Sequence, residues 1–467
     1  MKLNNIVLWG TGIIGQRYYS ILKKLEITPI MFIDNNINKQ NMYIDGIQIC
    51  SPLVLKNHSD YLVLIASKAS DEIYNQAIGL GVLSSRIYKV QEAMGIVMLN
   101  AIHMDAWGLN NSYKKEINKK SIAFDLQNGA ALGGVETWVL EQGIKLSKHG
   151  FNIACLLAND QNNQLTIPVN FERINVCELG DFCAQIERNV ESLLGYGYGI
   201  VISNFAGNNM LANCYYKRIN KHVRHIMVIH SDDDAYYQMV IIMEKYIDYC
   251  IVVSEKIQNK LIALGFDRRK IRLITWNINV DSVYRTVKVD NILKIGYAGR
   301  VTTLAKRLDY LPLIINELNE EGINYEFQIA GIGDYYDKLS EYVEKNNLKE
   351  KVILRGMLNK SEMRDFWRRQ DIYFSCSDWE GHSISQCEGI ACGAVPVVTN
   401  VSGASDDIQN GVTGYIVQIG DWKSIVDRIC YLSKHFDVLK QMSDAGMKRM
   451  KERNNLYKDD ILEELCR

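Results

Sequence analysis

Residues 372–399 read IYFSCSDWEGHSISQCEGIACGAVPVVT. An apolar run from Ile372 to Ser375 leads into Glu380-Gly381-His382-Ser383 and a helix carrying Glu388. After the turn Gly393-Ala394-Val395-Pro396 comes a second apolar run, Val397 to Thr399. Strand, helix and strand in that order form the repeating unit of a parallel sheet covered by helices. Outward from this stretch, short apolar runs alternate with amphipathic segments along nearly the whole chain, so the protein reads as α/β.

Upstream, the runs Leu293 to Tyr297, Tyr325 to Ala330 and Val352 to Leu354 end in Gly299-Arg300, Gly331-Ile332-Gly333-Asp334 and Arg355-Gly356-Met357-Leu358. Lys306-Arg307 follows six residues after Arg300, at the expected start of a helix. The helix dipole disfavours cations there, so Arg300 and Lys306 point to an anionic ligand such as a diphosphate, gripped by one fork and one compact charge. Glu380 and Glu388, placed on one continuous helix, would differ by roughly 12 Å of rise and about 80° of rotation. They cannot form the ~5 Å carboxylate pair of a retaining glycosidase. Either they contact different parts of one extended ligand or they are unrelated.

A second α/β region precedes this one. Strand Ile122 to Leu126 is followed by Gly133-Gly134-Val135-Glu136 and an amphipathic helix through Leu146. Bare backbone at a helix start suits an anion, although a Gly-Gly turn is also an ordinary tight connection. Strand Ile226 to Ile229 ends at His230, followed by Ser231 and three aspartates. A histidine at the C-terminal end of a parallel strand faces the crevice where such sheets bind ligands; the alternative is a satisfied loop histidine. Strand Tyr249 to Val253, Ser254-Glu255, a helix to Gly265, strand Ile271 to Ile274 and Asn277 close the unit.

The chain opens with strand Ile6 to Trp9, Gly10-x-Gly12-x-x-Gly15, a helix from about Gln16, and strand Ile30 to Ile33 ending in Asp34. This is the context of a dinucleotide fingerprint, in which glycines admit a phosphate and the acid holds a ribose; equally, the glycines serve only to pack strand, turn and helix. Tyr61 to Ser67, a helix to Gly81, and Arg86 to Val90 complete a small domain. Residues 103–120, where Asn, Lys and Ser replace apolar periodicity, read as a linker that makes this domain separable.

The chain has 467 residues, enough for about three domains. With 53 basic against 54 acidic side chains and a net charge of -1, no nucleic-acid partner is expected. Eleven dispersed cysteines without C-x-x-C read as reduced thiols of a cytoplasmic protein. No signal peptide is expected at the N-terminus, and the uncharged stretch Ser192 to Tyr216 is too interrupted by Gly and Asn to span a membrane. Lys217, Arg218, Lys221 and Arg224, interleaved with Tyr215, Tyr216, Ile219 and Val223, suit the anionic inner face of a membrane or a solvated basic helix.

The ordered set Gly133-Gly134-Val135-Glu136, His230, Gly299-Arg300 with Lys306, Gly331-Ile332-Gly333, Glu380-x7-Glu388, Gly393 with Pro396, and Gly403 to Gly414 resembles the retaining GT-B glycosyltransferases of family four, from Ser121 to the end. The resemblance implies two facing Rossmann-like domains, residues 121–287 on the acceptor side and 288–467 on the donor side, behind an N-terminal domain of residues 1–102. That first domain resembles the Rossmann-like unit preceding sugar acyltransferases, with a nucleotide at Gly10, Gly12, Gly15 and Asp34 or scaffolding alone. Carried over by position, His230, Arg300, Lys306 and Glu380 would be catalytic. Gly133, Gly134, Gly331, Gly333, Arg355, Met357, Gly381, His382, Ser383 and Glu388 would hold the donor, with Glu388 on the ribose.

The implied reaction moves a sugar, with retention, from a nucleotide-diphosphate sugar to a hydroxyl of a glycan or lipid-linked acceptor in cell-surface polysaccharide synthesis. No cofactor or metal is expected, since the D-x-D within Asp232 to Asp234 adjoins His230 and fixed cations face the diphosphate. A nucleotide-sugar sensor and a retaining sugar phosphorylase are the alternatives. The sequence departs from the family at Arg307, where many members have Gly, and at Gln386-Cys387-Glu388, where Leu-Glu-Ala is common.

Overall fold

The computed structural model describes residues 4–58, 60–111, 114–126, 129, 133–157, 165–175, 182–274, 276, 278, 280, 292–456 and 461–467. Three sheets follow one another along the chain. The first contains β1 (Ile6–Trp9), β2 (Met31–Ile33), β3 (Tyr43–Ile44), β4 (Ile47–Cys50), β5 (Leu62–Ile65) and β6 (Ile87–Tyr88) in the order β3-β4-β2-β1-β5-β6, parallel apart from the β3/β4 hairpin. Helices α1 (Ile13–Lys24), α2 (Ser70–Gly79) and α3 (Val90–Met104) cover it.

The second sheet orders β7 (Asn118–Leu126), β8 (Asn152–Leu157), β9 (Glu172–Asn175), β10 (Tyr198–Ser203), β11 (Arg224–Ile229), β12 (Tyr249–Val252) and β13 (Ile271–Leu273) as β13-β12-β11-β10-β7-β8-β9. Its helices are α4 (Gly134–Lys148), α5 (Phe182–Tyr196), α6 (Asn208–Ile219), α7 (Asp234–Ile242) and α8 (Glu255–Ala263). The third sheet orders β14 (Leu293–Ala298), β15 (Tyr325–Ala330), β16 (Val352–Gly356), β17 (Ile372–Ser375), β18 (Val395–Thr399) and β19 (Tyr415–Val417) as β16-β15-β14-β17-β18-β19. It carries α9 (Leu311–Glu320), α10 (Tyr336–Lys345), α11 (Lys360–Arg368), α12 (Ile384–Ala391), α13 (Ala404–Asp407) and α14 (Trp422–Lys434). Both larger sheets are wholly parallel, as runs buried on both faces require.

Two long-range returns tie the units together. Helix α15 (Phe436–Leu456) packs on the third sheet, whereas α16 (Ile461–Cys466) buries Leu462, Leu465 and Cys466 in the core of the second. The Arg224 guanidinium donates to the Leu465 carbonyl, fastening that return. The last helix of the region expected to form the donor domain therefore completes the other domain.

The N-terminal domain is not loosely tethered. One continuous core joins Leu8, Tyr18, Val97 and Ile102 to Ile186, Met210, Tyr237 and Met243 of the second unit. Residues 103–120, expected as a linker, begin inside α3, bury Trp107 and Leu109, and end in β7. The Trp107 indole donates to the Cys183 carbonyl at 3.2 Å, and Asp105 receives the Tyr215 hydroxyl and lies 3.6 Å from Arg218. Polar residues here pair across the domain boundary, which composition alone could not distinguish from solvation.

Tyr215 and Tyr216 are fully buried, Lys217 lies 2.8 Å from Asp248, and Arg224 is fixed as above, so this basic stretch is tied largely within the chain. Among the described residues no helix is long and apolar enough to cross a membrane. The ten described cysteines are free, eight of them buried. Asn277 and the seam from Asp281 to Asn291 lie outside the described residues.

The shared core reverses the expectation of separability. Deleting residues 1–111 would uncover the faces of α5, α6 and α7, and an insoluble or non-cooperatively unfolding product is expected. A soluble truncated chain with a sharp urea transition would show the shared core to be dispensable.

Candidate active site

The loops at the C-terminal ends of the strands of the second and third sheets meet along one cleft. Asp232 N–H donates to the Glu380 carbonyl at 3.2 Å. A Cβ on Gly381 would lie 1.8 Å from the His230 carbonyl oxygen, so only glycine allows this approach. Gly134, first residue of α4, faces Ile384, first residue of α12, with 3.4 Å between its would-be Cβ and the Ile384 Cδ1. The N-termini of α4 and α12 thus approach one another across the cleft, the first with the Glu136 carboxylate folded beside it.

Lys306 and Glu380 form an ion pair in the cleft, their side chains 17% and 15% exposed. Ser377 donates to the same Glu380 Oε1 at 2.8 Å. An ammonium carries three donors, so Lys306 can hold Glu380 and still meet another oxygen. Arg300, at the end of β14, is exposed and has no ion-paired partner among the described residues; its carbonyl accepts from the Tyr297 hydroxyl at 2.7 Å. Lys306 is not at a helix start as expected. It sits in a turn between β14 and α9: Ala305 and Arg307 both have left-handed backbones, and α9 begins only at Leu311.

The half-buried His230 ring packs edge-on against Trp138 at 5.1 Å, and burial pushes its pKa down to about 3. Its Nε2–H donates to Asn204 Oδ1 at 3.0 Å, and the Asn204 amide in turn donates to the Asp125 carbonyl at 2.9 Å. His230 is therefore neutral at physiological pH with Nδ1 as an acceptor. The Asp232 carboxylate lies 3.4 Å from Lys256 and 3.2 Å from Lys260, and Asp234 lies 2.9 Å from Lys260, so these acids are already compensated by lysines.

Glu388 lies on α12, whereas Glu380 precedes the helix, so the two are not on one helical face. Burial raises the Glu388 carboxyl above its ordinary range, partly opposed by Trp367 and then by Lys360. Lys360 reaches Glu141 of α4 at 2.6 Å, bridging the two units. Ser383 caps α12 by accepting from Gln386 N–H at 3.3 Å. Arg355 is exposed and donates to Gln328 at 3.0 Å, with Met357 exposed beside it.

Other expected contacts have structural partners. A Cβ on Gly331 or Gly333 would lie 1.9 Å from the Gly299 oxygen or 2.3 Å from the Val301 oxygen, so these glycines let two loops pack. Gly133 accommodates the Glu136 carboxylate folded over it. The His382 ring is enclosed: Nδ1–H donates to the Val253 carbonyl at 2.9 Å, and Nε2 lies 2.8 Å from Asp407. In the N-terminal domain, Gly10 and Gly15 face backbone oxygens at 2.5 and 2.0 Å from their would-be Cβ atoms, whereas Gly12 faces open space. Asp34 receives the Thr11 hydroxyl and lies 3.3 Å from Lys39.

His382, Cys387 and Asp407 make the only group among the described residues with metal-compatible spacing. The Arg453 guanidinium lies against all three, bonded to Asp407 and 3.3 Å from His382 Nε2, so a cation already occupies the position an ion would take.

Residues 285–449 match the family model described as glycosyl transferases group 1, residues 132–281 the model described as glycosyltransferase family 4, and residues 2–88 the model described as C2185-like, N-terminal. The chain is 24% identical over 250 residues to the capsular polysaccharide biosynthesis glycosyltransferase CapM of Staphylococcus aureus, covering 49% of this chain and 64% of that one. Poly(ribitol-phosphate) alpha-N-acetylglucosaminyltransferase of Staphylococcus aureus (strain COL) is 25% identical over 231 residues, with 47% and 45% covered. The chain thus spans less than two thirds of the length of either relative. The structure of Anabaena HepE in complex with UDP-glucose aligns with a TM-score of 0.60 at 16% identity, covering 74% of this chain and 99% of that one. The apo lipopolysaccharide outer core galactosyltransferase WaaB aligns with a TM-score of 0.55 at 16% identity, covering 72% and 98%. The fold is GT-B, with an additional N-terminal α/β domain.

The Gly381 contact is a direct handle on the cleft. Gly381→Ala places a methyl on a backbone oxygen that cannot rotate away, so a loss of about 1–3 kcal/mol and a larger radius of gyration are expected. Urea denaturation and small-angle scattering identical to the parent chain would show that the loops slip past each other.

Proposed function

We propose that residues 121–467 transfer a sugar from a nucleotide-diphosphate sugar to a hydroxyl of a glycan or lipid-linked acceptor in cell-surface polysaccharide synthesis, with retention and without a metal. The observation that carries this reading is the Lys306–Glu380 pair where the loops of the second and third sheets meet, with the exposed Arg300 after β14 of the same sheet as Lys306. The names of the CapM and poly(ribitol-phosphate) relatives, and the UDP-glucose bound to HepE, support the same class of donor and pathway.

As the bond from the anomeric carbon to the diphosphate breaks, negative charge grows on the departing phosphate and positive character on the sugar. Preorganised cations lower the barrier for the first change. Lys306 and Arg300 supply them, and the ammonium keeps Glu380 in place for the sugar hydroxyls. His230, neutral and fixed by Asn204, offers Nδ1 to a donor-sugar hydroxyl. Glu388 receives the ribose hydroxyls. In this reading the acceptor hydroxyl attacks from the face the leaving group vacates.

A panel of UDP-, GDP- and dTDP-sugars, read by thermal stabilisation and slow nucleotide release, should single out one nucleotide. Release should be indifferent to EDTA and to inorganic phosphate. Lys306→Ala should lower kcat by about a hundredfold, or roughly 3 kcal/mol, with less effect on donor affinity. Dependence on phosphate would instead favour a phosphorylase, loss of activity in EDTA would overturn the electrostatic argument, and binding without release would favour a sensor.

The raised Glu388 carboxyl gives a further expectation. Ribose hydroxyls donate best to the ionised form, so nucleotide affinity should be full above the raised pKa and fall as pH drops through it from neutrality. Glu388→Gln should weaken binding by about 1–3 kcal/mol and flatten that dependence. Calorimetric titration with the matching nucleoside diphosphate, showing the same acid limb in both proteins, would exclude Glu388 from the contact.

A further inference from the structure

Lys306 stands between two residues in the left-handed region, Ala305 with φ 65° and Arg307 with φ 53°. Glycine takes that conformation without strain, whereas a side chain there persists only when its surroundings over-determine it. Arg307 is so determined. Its Nε and Nη2 donate to Asp309 at 3.1 Å each, Nη1 donates to Asp378 Oδ2 at 3.0 Å, and its guanidinium lies over the Tyr310 ring at 4.0 Å.

The bond to Asp378 joins the loop after β14 to the loop after β17, while those to Asp309 fix the arginine within its own segment. Asp378 N–H donates to the Ala305 carbonyl at 2.8 Å, and Cys376 Sγ–H reaches the Lys306 and Arg307 carbonyls at 3.4 and 3.3 Å. Two residues beyond Asp378, Glu380 meets Lys306, and Ser377, just before Asp378, donates to Glu380 while its own carbonyl accepts from Thr399 Oγ1 at 2.6 Å. The Lys306–Glu380 pair is thus the far side of a ring whose near side is Arg307–Asp378.

We propose that Arg307 is a positioning residue whose fork on Asp309 and Asp378 holds the Lys306 ammonium and the Glu380 carboxylate at a fixed separation, so that a ligand meets them preorganised. Arg307 acts through the two loops. A lysine could supply the charge but not the rigid fork. The inference rests on the reading of Lys306 and Glu380 as contacts to the donor diphosphate and sugar.

The experiment compares Arg307→Gly, Arg307→Lys, Asp378→Asn and the Arg307→Gly/Asp378→Asn double variant. Glycine removes the backbone strain together with the clamp, so thermal stability should be kept. With the donor that gives fastest nucleotide release, kcat should fall by about tenfold or more while KM changes less. Lysine should restore only a small part, and the double variant should lose no more than either single one, as expected for a shared interaction. Hydrogen exchange should speed up at the Asp378 amide in every variant. If the parent chain releases nucleotide from no member of the panel, the functional reading fails, yet the exchange measurement still decides the clamp. Unchanged protection at Asp378 in Arg307→Gly, or a parent-like kcat in an active protein, would overturn it.

Discussion

The Asp407 carboxylate is wholly enclosed, and the arrangement of the two large sheets depends on how that charge is compensated. An isolated buried carboxylate would be prohibitively costly, so it must be paired and hydrogen-bonded. Arg453 of α15 pairs with it, Gln386 of α12 donates to it at 2.8 Å, and His382 lies at the same distance. Those partners do not stop at Asp407. His382 also donates to Val253 in the second unit, Arg453 donates to the Trp276 carbonyl, Trp276 donates to the His382 carbonyl at 3.0 Å, and Asn454 donates to Ile278 at 2.7 Å. Satisfying one charge therefore joins the end of β12, the connection between the units, and helices α12 and α15. Ser254 and Ser402, 2.6 Å apart, add a nearby bond across the same seam.

With the sheets held this way, the electrostatics of the cleft follow. Acids at its edge are compensated locally, Asp232 and Asp234 by lysines of α8 and Glu380 by Lys306. Arg300 remains exposed, and at the α4 N-terminus the Glu136 carboxylate folds over Gly133 where the helix dipole favours negative charge. Glu388 is the exception: its burial disfavours ionisation, and Trp367 and Lys360 offset this only in part.

Most strands of the third sheet were legible as apolar runs closed by turns, and the order Glu380-Gly381-His382-Ser383, then a helix carrying Glu388, placed one acid before the helix and one on it. What was not legible depended on partners distant in sequence. The Lys306 turn takes its shape from Asp378, 72 positions away, so a local reading could only make Lys306 a helix start. His382 lies between two expected ligand residues, but its ring is directed by Asp407 and Val253. The role proposed for Arg307 was hidden for the same reason, although an arginine where many members of the resembled family have Gly was a visible signal. For the N-terminal domain a signal was present and missed: Val90–Met104 buries Ala93, Met94, Val97, Met98, Ala101 and Ile102, apolar around most of its circumference, as expected of a helix packed on two sides.

That helix links the N-terminal domain to the cleft without touching it. Gly95 of α3 lets the Ile242 side chain approach to 2.8 Å from its would-be Cβ, so α7 is pressed closely against the first domain. Helix α7 begins at Asp234, directly after the loop carrying His230 and the Asp232 amide that holds Glu380. Tyr237 of the same helix donates to Asp232 at 2.8 Å and is itself buried in the shared core. The loop therefore has two anchors, the Glu380–Gly381 backbone across the cleft and a helix braced by α3 behind it. Close-packed interiors transmit strain, so a continuous run of packed contacts connects α3 of the additional domain with the loop that carries His230.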